Sequence, residues 1–459
     1  MLLITNGRIV TMDAERRVIR HGAVLIEGNR IKDIGQNAEL LARYPDVERL
    51  DAADNTVMPG LINTHTHLFQ SLFRGLGDDL SLTDWITKCI YPLSTQLMRR
   101  ESKIGALLNE LEMIKTGTTT FNDSHYINID KHCHDAIAEA TEEIGMRGII
   151  GRAAVNNAPV PEVFHETPDV AVRECERVIK AFHGSANGRI TVRVEPMSEA
   201  LTTRDMVQAI RAVSREYQVG MNMHAAETIT RVENMRRKYG FSTIEYLYDA
   251  GVLGPDVLLG HCIWISRKEI GLLRVTDTKV AHNSVSNQYL ADGVAPIPEL
   301  IRAGVTVGLG PDGAASNNNQ DMFQAMKLAV LMQKANRLDP ESLTAEKALE
   351  MATIDGAKAL NMEKEIGSLE VGKKADLIIV SNQVPEMRPT LAFVSNLVYA
   401  ASGALVDTVI IDGRIVMRKR EVLTIDEDKL LSEIDGTVMK MVRDSGCEAV
   451  LHRSKWKYQ

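Results

Sequence analysis

The sequence predicts an α/β protein: a closed (β/α)₈ barrel inserted into a small β-sandwich that both chain ends build together. Three observations predict it. The first 57 residues and the last 90 or so read as short β-strands with tight turns. Between them, β-rich runs alternate with longer amphipathic helical ones, the rhythm of parallel βα units. About 310 residues of such units suit an eight-fold barrel.

The chain opens with "LLITNGRIVTMD", where Asn-Gly between β-rich runs predicts a two-residue hairpin, because both turn positions favour positive φ. "GAVLIEGNRIKDIG" continues the alternation. Near the other end "ADLIIV" reads as a strand, and "DTVIIDGRIVMRKREVL" repeats the hairpin pattern around Asp-Gly. An isolated hairpin is marginal in water, so residues 1–57 and 367–459 are expected to pair into one unit, with a helix closing the C-terminal part. The insertion, 58–366, is the expected catalytic barrel. Its strands are read in "TGTTTFND", "MRGIIGRAAV", "RITVRVEPM", "VGMNMHAAE", "VLLGHCIWI", "KVAHNSV" and "VTVGLGPDG". Helices are expected in "KHCHDAIAEATEEIG", around 169–184 and around 204–217. A doubly wound open sheet is the alternative, but no G-x-G-x-x-G follows the first strand.

Composition narrows the function. Of 459 residues, 44% are hydrophobic and 25% charged, ordinary for a soluble globular chain. A net charge of -8 without a long basic block argues against nucleic acid or an anionic membrane as the main partner. No apolar run approaches the roughly 18 residues of a membrane span. Five scattered cysteines (Cys89, Cys133, Cys175, Cys262, Cys447) and a start without a signal-peptide pattern fit a cytoplasmic protein with reduced thiols.

In a barrel, catalytic groups gather at the C-terminal ends of strands, which gives a filter for the histidines. "PGLINTHTHL" carries His65 and His67 two apart on a strand, so both point to one face. Two bare imidazoles inside an apolar barrel are costly, and a shared metal removes that cost. "KHCHD" holds a second pair, His132 and His134, but on a helix residues two apart diverge, and this pair is expected on the surface. Other strand ends add His224 with Glu227 three residues on, His261, and Asp312. Imidazole and carboxylate suit Zn²⁺ or Fe²⁺, and a catalytic ion can activate water near neutral pH.

These motifs carry a resemblance. "PGLINTHTHL", "SLFRGLGDDLSLTDWI", "MHAAE", "GHC", "HNSVSN", "GLGPDGAASNN" and "ATIDGAKALNMEKEIGSLEVGKKADLIIV" resemble the amidohydrolase superfamily almost end to end. Within it, they resemble the aminohydrolases related to methylthioadenosine/S-adenosylhomocysteine deaminases and s-triazine hydrolases. The resemblance implies a distorted (β/α)₈ barrel with a β-sandwich from both ends. It implies one divalent metal, zinc with iron(II) as the alternative, held by His65, His67, His224 and Asp312. His261 and Asp312 would take protons from water, and Glu227 would carry one to the ring nitrogen beside the attacked carbon. The fourth strand lacks the lysine that two-metal members commonly place there. His282 would order the site from behind the ligands. The implied reaction removes an exocyclic amine from an aromatic N-heterocycle such as a purine base, pterin, pyrimidine or s-triazine. The alternatives are an adenosine-type nucleoside as substrate, or triazine dechlorination on the same scaffold. Small amino-heterocycles are the expected partners, and a homo-oligomer the expected state.

The expected pocket residues are Gln70, just past the ligands, and Trp85, which could stack on a flat ring. Nucleoside-type relatives place Pro, one residue, then a ribose-binding glutamate after this Trp. Here Ser94 stands in that place, which favours a substrate without a sugar. Gln96 and Asn122 are further candidates. Arg152 matches a substrate-contacting arginine of the nucleoside deaminases.

Overall fold

Eight short runs, buried on both faces almost throughout, form the parallel strands of the barrel, as expected of strands covered by helices outside and by one another inside. This is seen in a computed structural model that describes residues 1–452; the tail 453–459 of the predicted C-terminal part lies outside the described residues. The barrel strands are β1 (Leu61–Thr66), β2 (Thr118–Asp123), β3 (Arg147–Ala154), β4 (Ile190–Pro196), β5 (Met221–Ala225), β6 (Val257–His261), β7 (Lys279–His282) and β8 (Val307–Leu309). They lie side by side in chain order. Side chains and loop backbone close the ring between β8 and β1. Thr64 Oγ1 donates to the Leu309 carbonyl at 2.8 Å, and the Asp312 N–H donates to the His65 carbonyl at 3.1 Å. The expected helices stand at Cys133–Ile144, Pro168–Phe182 and Arg204–Tyr217. Helix starts are capped as their sequences suggest. Thr167 Oγ1 accepts from Val170 N, and Ser266 and Glu269 form a reciprocal capping box.

Both chain ends meet in one hydrogen-bonded sheet of nine strands. Leu377–Val380 runs antiparallel to Thr56–Pro59, pairing Leu377 with Pro59 and Val380 with Thr56. Ile4, Val24 and Val57 from one end share a core with Leu377, Ile379 and Ile410 from the other. The Asp-Gly hairpin is present, with Asp412 and Gly413 at φ 51° and 76° between Val406–Ile411 and Arg414–Arg418.

The Asn-Gly hairpin is not. One strand, Leu2–Val10, runs straight through Asn6 and Gly7. The register shifts on both sides of Gly7, and Asn6 has φ 54°, so the pair forms a bulge. Gly7 is needed for close approach: a Cβ there would lie 2.7 Å from Val57 Cγ2.

The C-terminal helix Glu427–Asp444 docks on the barrel helix Arg99–Lys115, through Lys115 with Glu427 at 2.7 Å and Arg100 with Glu433 at 3.2 Å. A buried pair ties barrel to sheet: Arg147, first residue of β3, grips both Asp376 oxygens at 2.6 and 3.1 Å. The five cysteines are buried and none forms a disulfide. Among the described residues, no helix is long and apolar enough to cross a membrane.

Candidate metal centre

Strand-end geometry brings His65, His67, His224, His261 and Asp312 into one buried cluster. The ligand atoms of His65, His67 and His224 lie within 4.8 Å of one another, and so do those of His65, His261 and Asp312. Asp312 Oδ1 is 3.3 Å from His67 Nε2 and 3.5 Å from His65 Nε2. The Nε2 atoms of His224 and His67 are 3.4 Å apart. Four non-glycine residues here, Ala226 (φ 50°), His261 (φ 69°), Cys262 (φ 47°) and Asp312 (φ 67°), adopt left-handed backbone. Such conformations cost energy and concentrate at functional sites.

The other ring nitrogens are anchored in ways that fix the tautomer. His67 Nδ1 meets the Ser124 carbonyl at 2.6 Å. His224 Nδ1 meets the Met197 carbonyl at 3.1 Å and Glu195 Oε1 at 3.2 Å. His261 Nδ1 meets Asn287 Oδ1 at 2.9 Å. An N–H spent on these acceptors leaves the Nε2 lone pair turned inward, the arrangement that orients metal-ligating histidines. Nε2 of His65 and of His261 is buried with no hydrogen-bond partner among the described residues. Buried polar atoms without partners are rare, and a cation among these donors would satisfy them. Charge agrees. Burial, then the neighbouring His224, pushes His65 well below its usual range, so it stays neutral. Burial pushes the Asp312 carboxyl up, but His65, His67, His261 and His224 together hold it below its usual range. Burial lowers His67 as well; at His224 burial also lowers the pKa, but the hydrogen bond and charge of Glu195 and the other nearby carboxylates raise it. A divalent cation takes neutral imidazoles and an ionised carboxylate.

Beside the cluster, Glu227 Oε1 lies 3.7 Å from His261 Nε2, and Arg231 Nη1 donates to Glu227 Oε2. Burial favours the neutral acid at Glu227, but Arg231, His261 and His224 together outweigh it and lower the pKa. The cavity over the donors is about 30 Å³, walled further by Gln70, Trp85, Tyr91, Tyr126, Ser198 and Arg231. That is room for water. A chamber of about 390 Å³ adjoins it, and Leu82, Ile86, Tyr91, Leu201 and Arg231 belong to the walls of both. Trp85 is pinned by its indole N–H to the Ala315 carbonyl at 3.0 Å. Gly313, after Asp312, makes room for Gln70: a Cβ there would lie 1.9 Å from Gln70 Oε1.

Four expected pocket residues stand elsewhere. Ser94 is fully buried in the short helix Tyr91–Ser94 and lines neither cavity. Gln96 donates to Thr95 Oγ1 at 3.1 Å and lines neither. Asn122 braces the barrel interior, donating to the Thr64 carbonyl at 2.9 Å and accepting from Asn222 Nδ2 at 3.0 Å. Arg152 is committed to both Glu166 oxygens at 2.6 and 2.8 Å. His282, at the end of β7, is buried. Burial, and then His261, lowers its pKa to about 3.

The helical pair is half corrected. His132 is exposed and pairs with Asp135 at 2.7 Å, as expected of surface. His134 is only 2% exposed, with its ring 5.0 Å from that of His125. Residues two apart on a helix differ by about 200°, so when one faces solvent the other faces the core.

Sequence reasoning missed Tyr91, Tyr126 and Arg231. Arg231 had a signal, four residues after Glu227. Tyr126 follows the end of β2 by three residues and passes the strand-end filter. Tyr91 had none.

Residues 56–416 match the amidohydrolase family, and residues 22–46 match the imidazolonepropionase-like composite domain of bacteria. A 5'-deoxyadenosine deaminase of Methanobrevibacter smithii is 39% identical, over 89% of this chain and 91% of that one. A 5-methylthioadenosine/S-adenosylhomocysteine deaminase of Syntrophomonas wolfei is 37% identical, over 96% of this chain and 99% of its own. The zinc-bound crystal structure of an adenosine deaminase from Xanthomonas campestris superposes with a TM-score of 0.90 at 27% identity, covering 96% of this chain and 98% of that one. With its eight-stranded barrel, its His/Asp cluster and these likenesses, the chain belongs to the amidohydrolase family.

Proposed function

We propose that this hydrolase is a zinc-dependent deaminase of adenosine-type nucleosides with a modified 5' position. The observation that carries the reading is the five-donor cluster with Glu227 at its edge, next to a chamber of about 390 Å³. Relatives that deaminate 5'-deoxyadenosine and methylthioadenosine support it. A pocket of that volume is in the range for small-molecule ligands, about 300–1,000 Å³. Ser94, whose place in the sequence favours a substrate without a sugar, lines neither cavity.

His65, His67, His224 and Asp312 would hold the ion. When bound, it supplies the Lewis acidity that makes water reactive near neutral pH. His261 Nε2, 4.0 Å from Asp312 Oδ2, accepts a proton from the attacking water, and Asp312 shares that role. Glu227 takes up one proton of the attacking water and passes it to the ring nitrogen beside the carbon that bears the amine, so negative charge does not build there. The C–N bond breaks as the amine takes the other water proton back from His261 and Asp312, and ammonia leaves. One water is consumed, and the ring keeps its oxygen. Trp85, Tyr91 and Tyr126 offer flat faces to orient the base.

The test is ammonia release from 5'-deoxyadenosine, methylthioadenosine, adenosine and adenine, compared as kcat/KM. The nucleosides should be preferred. A tenfold or larger preference for the free base would restore the sugar-free substrate that the sequence favours.

A further inference from the structure

Glu227 is not on a helix. It ends the loop after β5, and Thr228 then caps the helix Ile229–Tyr239, accepting from Arg231 N at 3.3 Å. Arg231 therefore sits in the first helical turn, its backbone tied to the cap, with its side chain folded back over the strand end. Its Nη1 donates to Glu227 Oε2. Among the described residues this is the only hydrogen bond Glu227 accepts. The guanidinium walls both the metal-side cavity and the larger chamber. Glu199 and Asp292 also act on it electrostatically. An exposed pair at this spacing contributes little. This one is mostly buried, with side-chain exposures of 17% for Arg231 and 7% for Glu227.

We propose that Arg231 is a positioning residue for the deamination: by gripping Oε2 of Glu227 it points Oε1, 3.7 Å from His261 Nε2, at the reacting atoms. The proposal rests on the deaminase reading. A carboxylate that exchanges a proton with a ring nitrogen must present one oxygen in one direction. With no other hydrogen bond to its side chain among the described residues, Glu227 would turn about its own bonds in the cavity if Arg231 were lost. The reacting geometry would then be sampled only part of the time. Misplacement of a catalytic group by about 1 Å can cost on the order of 10²-fold in rate. A residue that merely held the fold would act on stability, and one that bound the substrate's remote part would act on KM.

The experiment uses the metal-loaded full chain and four proteins: wild type, Arg231→Met, Glu227→Gln and the double variant, with Arg231→Lys as a conservative control. Arg231→Met should keep its metal and its melting temperature, and lose about 10²-fold in kcat with little change in KM. Arg231→Lys, which keeps a charged donor, should recover part of the loss. In the Glu227→Gln background, Arg231→Met should cost almost nothing more, because the two residues act as one unit. Unchanged kcat in Arg231→Met, a rise in KM at constant kcat, or losses that multiply in the double variant would each overturn the proposal. If Arg231→Met fails to fold, the same cycle with Arg231→Lys decides. A wild type that deaminates nucleosides, beside an unimpaired Arg231→Met, overturns this inference alone. A wild type that releases no ammonia from any nucleoside overturns the deaminase reading, and this inference with it.

Discussion

Asp312 and His65 meet twice: the Asp312 N–H donates to the His65 carbonyl at 3.1 Å, and Asp312 Oδ1 stands 3.5 Å from His65 Nε2. The first contact helps close the barrel between β8 and β1. The second draws the two side chains into one cluster. Closure and site assembly therefore involve the same pair, and Asp312 makes both contacts from left-handed backbone, a conformation that costs energy.

The cluster predicts metal content. The purified chain should carry about one divalent ion, and His67→Ala should lose most of it, because His67 Nε2 lies 3.3 Å from Asp312 and 3.4 Å from His224 Nε2. Elemental analysis checks this. Full occupancy in the variant would remove His67 from the ligand set.

Glu227→Gln should keep metal and fold but lower kcat by about 10²-fold, the scale for a positioned acid–base group. Steady-state kinetics with a metal assay on the same sample separate the two effects. A near-normal rate would reduce Glu227 to a packing residue.

The second histidine pair should split. His132→Ala should change stability by about 0.5 kcal/mol or less, as at other surface positions. His134→Ala should cost about 2 kcal/mol, since its ring packs against His125 in the interior. Both variants should keep wild-type metal content. Chemical denaturation measures the difference, and equal stabilities would contradict the burial of His134.

Arg147→Ala should leave the metal in place but destabilise by about 3–5 kcal/mol, because Asp376 would remain buried without its main partner. Thermal melting checks this. A small shift would mean that barrel and end sheet are held by apolar packing alone.

The ligand positions were legible because they sit on strands with a local signal: apolar runs ending in His or Asp, repeated at βα spacing. The pocket was not, for three physical reasons. Barrel strands are buried on both faces, so alternation does not mark the inner one. Every residue of β3 is buried, and Arg152 faces Glu166 instead of the cavity. Between Trp85 and Ser94 the chain makes a π-helical turn, Ile86–Ile90, which adds residues to the turn and changes which side chains share a face. Trp85 and Tyr91 reach the cavity and Ser94 does not. Finally, Asn-Gly marks positive φ, but whether that becomes a turn or a bulge depends on distant partners. Residues 48–51 and 56–57 hold the strand Leu2–Val10 straight on either side of Gly7.

One measurement tests the central claim most directly: ammonia release from 5'-deoxyadenosine by the full chain, before chelation, after exhaustive chelation, and after zinc is restored. The account predicts turnover with one ammonia per nucleoside consumed, loss of activity on chelation, and recovery with zinc. Deamination that survives complete removal of metal, or none from any aminated heterocycle with the metal in place, would contradict it.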